Sequence, residues 1–287
     1  MKQHYPKAGL GQLCRLFGKT RQAYYDHSSR RSSDKMGMAI VLDLVHGTRK
    51  QLPKVGMIKL YNMLKEEVHL HGISMGRERF CGLLRDNGLQ IKKRRTYART
   101  TNSNHNYKRW PDLAAGAPPR ATGELWVSDI TYLTIKSGFI YLSLVTDAYS
   151  RKIVGYHLSQ NLKAQSCIIA LNKAITTMDS RATLIHHSDR GIQYCCQQYV
   201  SLLQSNNIAI SMTQSGSPYD NAIAERINGI LKSELGLNKV FDSYSAAVGP
   251  THKAIHLYNN LRPHMSCGYL TPAMAHLNKH ELVKMWK

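Results

Sequence analysis

A chain of 287 residues has room for one large domain or two modest ones, and 43% hydrophobic content excludes wholesale disorder. Thirty-nine Lys and Arg against eighteen Asp and Glu leave a formal charge of +21, an imbalance that points to a polyanionic partner. Its six cysteines form no CxxC pair, which argues against a disulfide framework or zinc site, and no secretory or membrane-length apolar run is evident, so a soluble protein of the reducing cytosol is expected.

Leu10, Leu13, Leu16 and Phe17 predict a helix, Gly18 a turn, and Thr20 the cap of a second short helix carrying Tyr24 and Tyr25. Helix, tight turn, helix is the outline of a DNA-reading helix-turn-helix with Arg21 and Gln22 near the second helix's start; a plain helical hairpin fits the same residues equally well. The polar stretch HSSRRSSDK (27–35) reads as a linker. Residues 36–47 and 57–68 read as helices separated by Pro53, and the segment after Ser74 as another, with Phe80, Leu83 and Leu84 on one face and Gly88 as its C-cap. In KKRRTYART (92–100), Lys92, Lys93, Arg94 and Arg95 suit phosphates and Tyr97 offers a stacking face. Residues 101–120, with Pro111, Pro118 and Pro119, read as a linker. Residues 1–120 hold 24 basic and 8 acidic side chains against 15 and 10 in the remainder, so the N-terminal part is the expected nucleic-acid grip.

From Glu124 the periodicity changes. Residues 124–135, 139–147 and 151–158 predict three strands with short, hairpin-like connections; 163–178 predicts a helix, 182–188 a strand, 194–206 a helix and 207–213 a strand, before a helix that carries Glu225. Three meandering strands, then helix, strand, helix, strand, helix, is the order of the α/β ribonuclease H-like fold: a mixed five-stranded sheet with flanking helices, here preceded by an all-α region. The domains expected are a basic helical region over 1–100, a linker over 101–120, a catalytic core over 121–240 and a C-terminal helical extension over 241–287.

Three acids stand out within this core. Asp129 sits mid-strand in ELWVSDITYLTI, sharing a face with Val127 and Thr131, where a lone carboxylate is costly unless paired or metal-bound. Asp189 ends the strand before Gly191, at the carboxyl end where sites in α/β sheets concentrate. Glu225 lies on the helix, whose spacing places Asn221, Glu225, Asn228 or Gly229, and Lys232 on one polar face, with Asp220 better read as an N-terminal cap. Two strand carboxylates and one helix carboxylate suit a pair of Mg²⁺ ions about 3.5–4 Å apart for phosphoryl transfer. The neighbouring His186 and His187 are better read as packed or hydrogen-bonded than as ligands, since Mg²⁺ prefers oxygen.

WVSDITY (126–132), DAYSRKIVGY (147–156), HSDRGIQY (187–194), SGSPYDNAIAE (215–225) and YNNLRPH (258–264) with LTP (270–272) occur in order. Over about 124–276 the chain thereby resembles the integrase-core, DDE-type transposases of bacterial insertion sequences, and within them the second, catalytic frame of a two-frame element. Residues 1–110 resemble that frame's helical region more loosely. Ile192 and Cys195–Cys196 depart from the smaller or polar residues usual there.

The resemblance implies that Asp129, Asp189 and Glu225 are the catalytic, metal-binding triad, holding two Mg²⁺ ions for which Mn²⁺ substitutes, and that Asp147 has a turn role. It implies DNA contacts from Arg262 and His264, whose other reading is a capped helix end. Tyr219, Asn221 and Lys232 join the candidate DNA-binding residues. Strand cleavage and 3′-OH strand transfer are the implied reactions. Double-stranded DNA (element ends and target), a first-frame protein or frameshift fusion, and a second copy of the chain are the implied partners, in the bacterial cytoplasm at the nucleoid. A catalytically silent DNA-binding protein on this fold, and a ribonuclease H-like nuclease, are the alternatives.

Overall fold

The computed structural model describes residues 6–91, 108, 110–115, 118–178, 184–214 and 222–278, without the side chains of 30–33. The chain divides into two compact units, Met1–Lys50 with Leu60–Gln90, and Gln51–Lys59 with Ile91–Lys287. No helix among the described residues is long and apolar enough to cross a membrane.

The first unit is helical. Helix α1 (Leu10–Leu16) turns through Gly18, at φ 61°, into α2 (Arg21–Gln51), and the Thr20 hydroxyl caps α2 by accepting from the Ala23 N–H at 3.0 Å. The linker expected at 27–35 is instead the interior of α2. That stretch holds neither Pro nor Gly, and Ser, Arg, Asp and Lys inside a helix cost only tenths of a kcal/mol each, about 0.7 at most, so polarity alone does not break the chain. Helices α3 (Met57–Leu70) and α4 (Arg77–Asp86) follow where the spacing predicts them, burying Leu60, Leu64 and Val68 of the one and Phe80, Cys81 and Leu84 of the other. Gly88, at φ 66°, ends α4, and the Leu89 N–H reaches back to the Leu84 carbonyl at 2.8 Å.

The second unit is a five-stranded sheet between two layers of helix. Strands β1 (Leu125–Ile135), β2 (Gly138–Asp147) and β3 (Ile153–Ser159) form the antiparallel meander. After α5 (Ala164–Ile175), strand β4 (Ile185–Ser188) pairs parallel to β1; after α6 (Ile192–Cys195) and α7 (Gln197–Ser205), β5 (Ala209–Met212) pairs parallel to β4. The order β3-β2-β1-β4-β5 is the ribonuclease H-like arrangement. Alternation along the strands sorts the core. Trp126 and Val145 pack with Leu171, Tyr199 and Leu203 under α5 and α7, whereas Leu133, Leu142 and Leu144 pack with α8 (Ala222–Ser233) and α9 (Tyr244–Asn260).

Part of the expected linker is built into this unit. The Pro111 carbonyl accepts from the Met212 N–H at 3.2 Å and the Ser211 hydroxyl accepts from the Leu113 N–H at 2.8 Å, so the chain around 110–114 covers the exposed edge of β5.

Two of the sequence motifs prove structural. In DAYS, Asp147 is fully buried; its Oδ1 accepts from the Ser150 N–H (2.8 Å) and hydroxyl (2.7 Å), and its Oδ2 from the Gly123 N–H (2.9 Å), which builds the β2–β3 turn. YNNLRPH staples the end of α9 to the same turn. The Tyr258 hydroxyl donates to the Arg151 carbonyl (3.0 Å), and the Asn259 amide exchanges two 3.0 Å hydrogen bonds with the Ile153 backbone, completing a ladder as a strand would.

Arg262 and His264, expected to touch DNA, are turned inward by that staple. Arg262 is 2% exposed and commits every guanidinium nitrogen: Nε and Nη2 to the Glu234 carboxylate at 2.8 and 2.9 Å, Nη1 to the Pro263 carbonyl at 3.2 Å. Three of its five N–H donors are thereby spent inside the chain, and burial keeps the rest of the group away from a phosphate. His264 Nδ1 lies 2.9 Å from the Ser266 hydroxyl, and burial, then the charges of Arg262 and Arg151, push its pKa down to about 3, so the ring is neutral.

Gly155 on β3 marks the closest approach of α5. A Cβ there would overlap the Ala170 carbonyl oxygen and lie 2.9 Å from the Ala174 nitrogen, both backbone atoms that cannot move aside singly. Gly155→Ala is therefore expected to cost about 1–3 kcal/mol or more and to lower Tm by roughly 5 °C in a thermal melt. Removing Arg262 takes both of its hydrogen bonds from the Glu234 carboxylate and leaves it only the longer Lys59 contact at 3.5 Å. Arg262→Ala should cost about 3 kcal/mol in urea denaturation, while the salt slope of DNA binding stays at the wild-type value.

Candidate active site

Pairing register creates the site. Ser128 of β1 lies beside Ser188 of β4 in the parallel ladder, so Asp129 and Asp189 are the next residues along two adjacent strands, whose axes run about 4.8 Å apart. Asp129 pairs with Leu144 and so shares the sheet face covered by α8 and α9. Glu225 enters from above, in the first turn of α8, where the helix field favours a negative charge.

Each strand carboxylate is held by its surroundings. Asp129 Oδ1 accepts from the Ile130 N–H at 2.9 Å, and its Oδ2 from the Asn228 side-chain amide at 2.7 Å. Asp189 Oδ1 accepts from the Gly191 N–H at 2.9 Å. A Cβ on Gly191 would stand only 2.9 Å from that oxygen, which explains the glycine in HSDRG. Arg190, between them, donates from Nε to the Thr213 carbonyl (2.5 Å) and from its terminus to the Gln214 carbonyl, pinning the exit of β5 to the exit of β4.

Electrostatics ties the three acids together. Burial raises the Asp129 pKa to about 7, the Asp189 charge pushes in the same direction, and Glu225 adds a smaller push, against the pull of the Ile130 and Asn228 hydrogen bonds. Lys232, two turns after Glu225, is lowered by burial and raised by the Asp129 charge, which puts its ammonium in reach of the same field. Among the described residues no three His, Cys, Asp or Glu side chains are gathered closely enough to hold one ion in common. The donor set is nonetheless all oxygen and mutually repulsive, the chemistry that a hard divalent cation relieves.

The histidines lie beneath this layer. His186 is 1% exposed, with Nε2 at 2.7 Å from the Ser128 hydroxyl and 2.9 Å from the Tyr199 hydroxyl; burial, then His187, push its pKa to about 3. His187 Nδ1 sits 2.8 Å from the Ser211 hydroxyl. Both shape the strand under the carboxylates, as expected.

The expected DNA-binding residues divide. Arg21 and Gln22 are exposed at the start of α2, Gln22 donating to Asp26 at 2.8 Å. Lys232 is half-buried beside Asp129. Lys92, Lys93, Arg94, Arg95, Tyr219 and Asn221, with Asp220, lie outside the described residues. Arg190, Gly191 and Asn228 line the carboxylates although none was expected as a site residue; the one available signal was Asn228's place on the helix face of Glu225 and Lys232.

A pH dependence follows from the Asp129 shift. Its pKa rises from 3.8 to about 7 on folding, so between those values the folded state binds the extra proton and stability falls as pH rises. In EDTA, wild type is expected to lose stability between pH 5 and pH 8 by urea denaturation, and Asp129→Asn to lose much less.

Residues 119–218 and 206–272 each match a family described as an integrase core domain. The chain is 31% identical over 277 residues, 94% of its length and 99% of the other's, to the uncharacterized 31 kDa protein of insertion element IS600 from Shigella sonnei. It is 32% identical over 260 residues, 87% of its length and 91% of the other's, to the protein assigned as transposase of insertion sequence element IS986/IS6110 in Mycobacterium tuberculosis strain CDC 1551. To the transposase InsF of insertion sequence IS3A from Escherichia coli strain K12 it is 28% identical over 283 residues, 95% of each chain. With the strand order above and these full-length likenesses, the chain belongs to the integrase-core transposases of insertion sequences.

Proposed function

We propose that this transposase cuts DNA at the ends of its element and joins the freed 3′-OH to target DNA in one site, with Asp129, Asp189 and Glu225 as ligands for two Mg²⁺ ions, replaceable by Mn²⁺. The observation that carries this is the charge cluster itself: two carboxylates set side by side by strand register and a third on the covering helix, where burial first and the Asp189 charge second push Asp129 up to about 7. Two such cations, when bound, stabilise the attacking and leaving oxygens of an in-line displacement.

The protein's own groups then have definite tasks. Asp129 would be the ligand common to both ions, with Asp189 for one and Glu225 for the other, a scheme in which no ion needs all three acids. Gly191 and Ile130 hold the strand carboxylates through their N–H groups. Lys232 supplies a positive charge for the scissile strand's backbone. Arg21, Gln22, Lys92, Lys93, Arg94, Arg95, Tyr219 and Asn221 remain the residues we assign to DNA, the basic N-terminal part gripping the terminal repeats in a salt-dependent way. Bringing two ends together requires at least two copies on DNA, and a first-frame protein or frameshift fusion supplies further recognition.

Nicking of supercoiled plasmid tests the reading. Wild type should nick with Mg²⁺ or Mn²⁺ and not with EDTA, whereas Asp129→Asn and Glu225→Gln should fall to the no-protein background while binding DNA within about twofold of wild type, since little phosphate affinity is lost with a carboxylate. Full nicking or joining by either variant would remove the triad assignment.

A further inference from the structure

Asn228 stands on α8 one turn beyond Glu225 and one turn before Lys232, and it is 6% exposed among the buried neighbours Ile227, Ile230 and Leu231. Its amide nitrogen donates to Asp129 Oδ2 at 2.7 Å. Its amide oxygen is buried and has no hydrogen-bond partner among the described residues. A buried acceptor without a donor is a net cost to folding, and a leucine would fill much the same volume on this helix without it.

We propose that Asn228 is a positioning residue for Asp129, kept despite its unsatisfied oxygen because it fixes the carboxylate for metal capture. This rests on the metal-site reading above. A carboxylate offers about four lone-pair sites. Among the described residues one on Oδ1 is taken by the Ile130 N–H and one on Oδ2 by Asn228, so both oxygens are pinned while each keeps a lone pair for a metal. The donor must also be neutral. Lys or Arg at this place would put a fixed cation where a divalent ion has to enter, and Asp or Glu would add a fourth repelling charge. An amide is a neutral donor that holds the carboxylate without changing the charge of the site.

Asn228→Leu in the full chain separates this role from a purely structural one through the Mg²⁺ titrations, because a structural role alters Tm in EDTA but not the Mg²⁺ needed. The quantities to read are Tm in EDTA, the rise of Tm with added Mg²⁺, and the Mg²⁺ dependence of plasmid nicking. The leucine ends the cost of the amide oxygen but also takes the donor from Asp129 Oδ2, so Tm in EDTA is read as a check on folding only. Expected is a folded variant with the half-saturating Mg²⁺ raised about 10–100-fold in both the melting and the nicking titrations. A variant whose Mg²⁺ titrations superimpose on wild type, whatever its Tm, would show that the side chain does not position Asp129. If the leucine variant fails to fold, Asn228→Ser is read in the same titrations, and superposition on wild type overturns the role in the same way. Should wild type itself show neither a Mg²⁺-induced Tm rise nor Mg²⁺-dependent nicking, the metal site falls and this role with it, an outcome distinct from superposition.

Discussion

Everything in the second unit is arranged around the cost of placing a carboxylate on a strand that has neighbours on both sides and helices on both faces. β1 is where the sheet changes from antiparallel pairing with β2 to parallel pairing with β4. That change sets a residue in the middle of β1 beside the residue at the end of β4, and so Asp129 beside Asp189. The coupling is unfavourable for the bare protein. Hydrophobic packing of Leu133, Leu142 and Leu144 against α8 and α9 has to hold the acids in place against their own repulsion.

The loops and motifs around that core serve the same end at a distance. Asp147 and Ser150 close the β2–β3 turn, Asn259 and Tyr258 staple α9 to it, and Arg190 fastens the exits of β4 and β5 to each other. Each is a polar group satisfied by backbone partners, the kind of bond that fixes where an element starts or stops. The helix carrying Glu225 is thus presented by a frame whose strand ends do not shift independently.

How much of this could be read from the residues depended on the range of the interaction. The order of strands and helices was legible because period-2 and period-3.6 patterns are local, and Gly88 and Thr20 declared their helix ends through local backbone chemistry. Asp129 stood out because an acid in an apolar strand conflicts with its surroundings, whereas Asp189 was picked out by a strand end and Glu225 by the polar face of its helix. Gly155 was opaque, since its reason is a helix backbone fifteen or more residues ahead in the chain lying against it. The inward turn of Arg262 was equally opaque, because nothing near it in sequence announces Glu234. HSSRRSSDK misled in the other direction: polar residues signal exposure, and exposure is as compatible with a long solvated helix as with a linker.

Glu234 and Asp129 show why composition alone could not separate structure from chemistry. Both are acids sheltered from water. Around Glu234 the guanidinium of Arg262 makes two hydrogen bonds, and burial, which raises its pKa, is outweighed by that pairing, so its carboxyl titrates below the usual range. Around Asp129 the nearest charges are other carboxylates and the partners are neutral N–H groups, so burial prevails and its carboxyl titrates near 7. A charge paired from within the chain holds the fold together; one set among other carboxylates is, on our proposal, where a cation enters. On that proposal metal affinity and folding stability are linked through the same carboxylate, since a cation bound there offsets the repulsion that the bare fold has to bear.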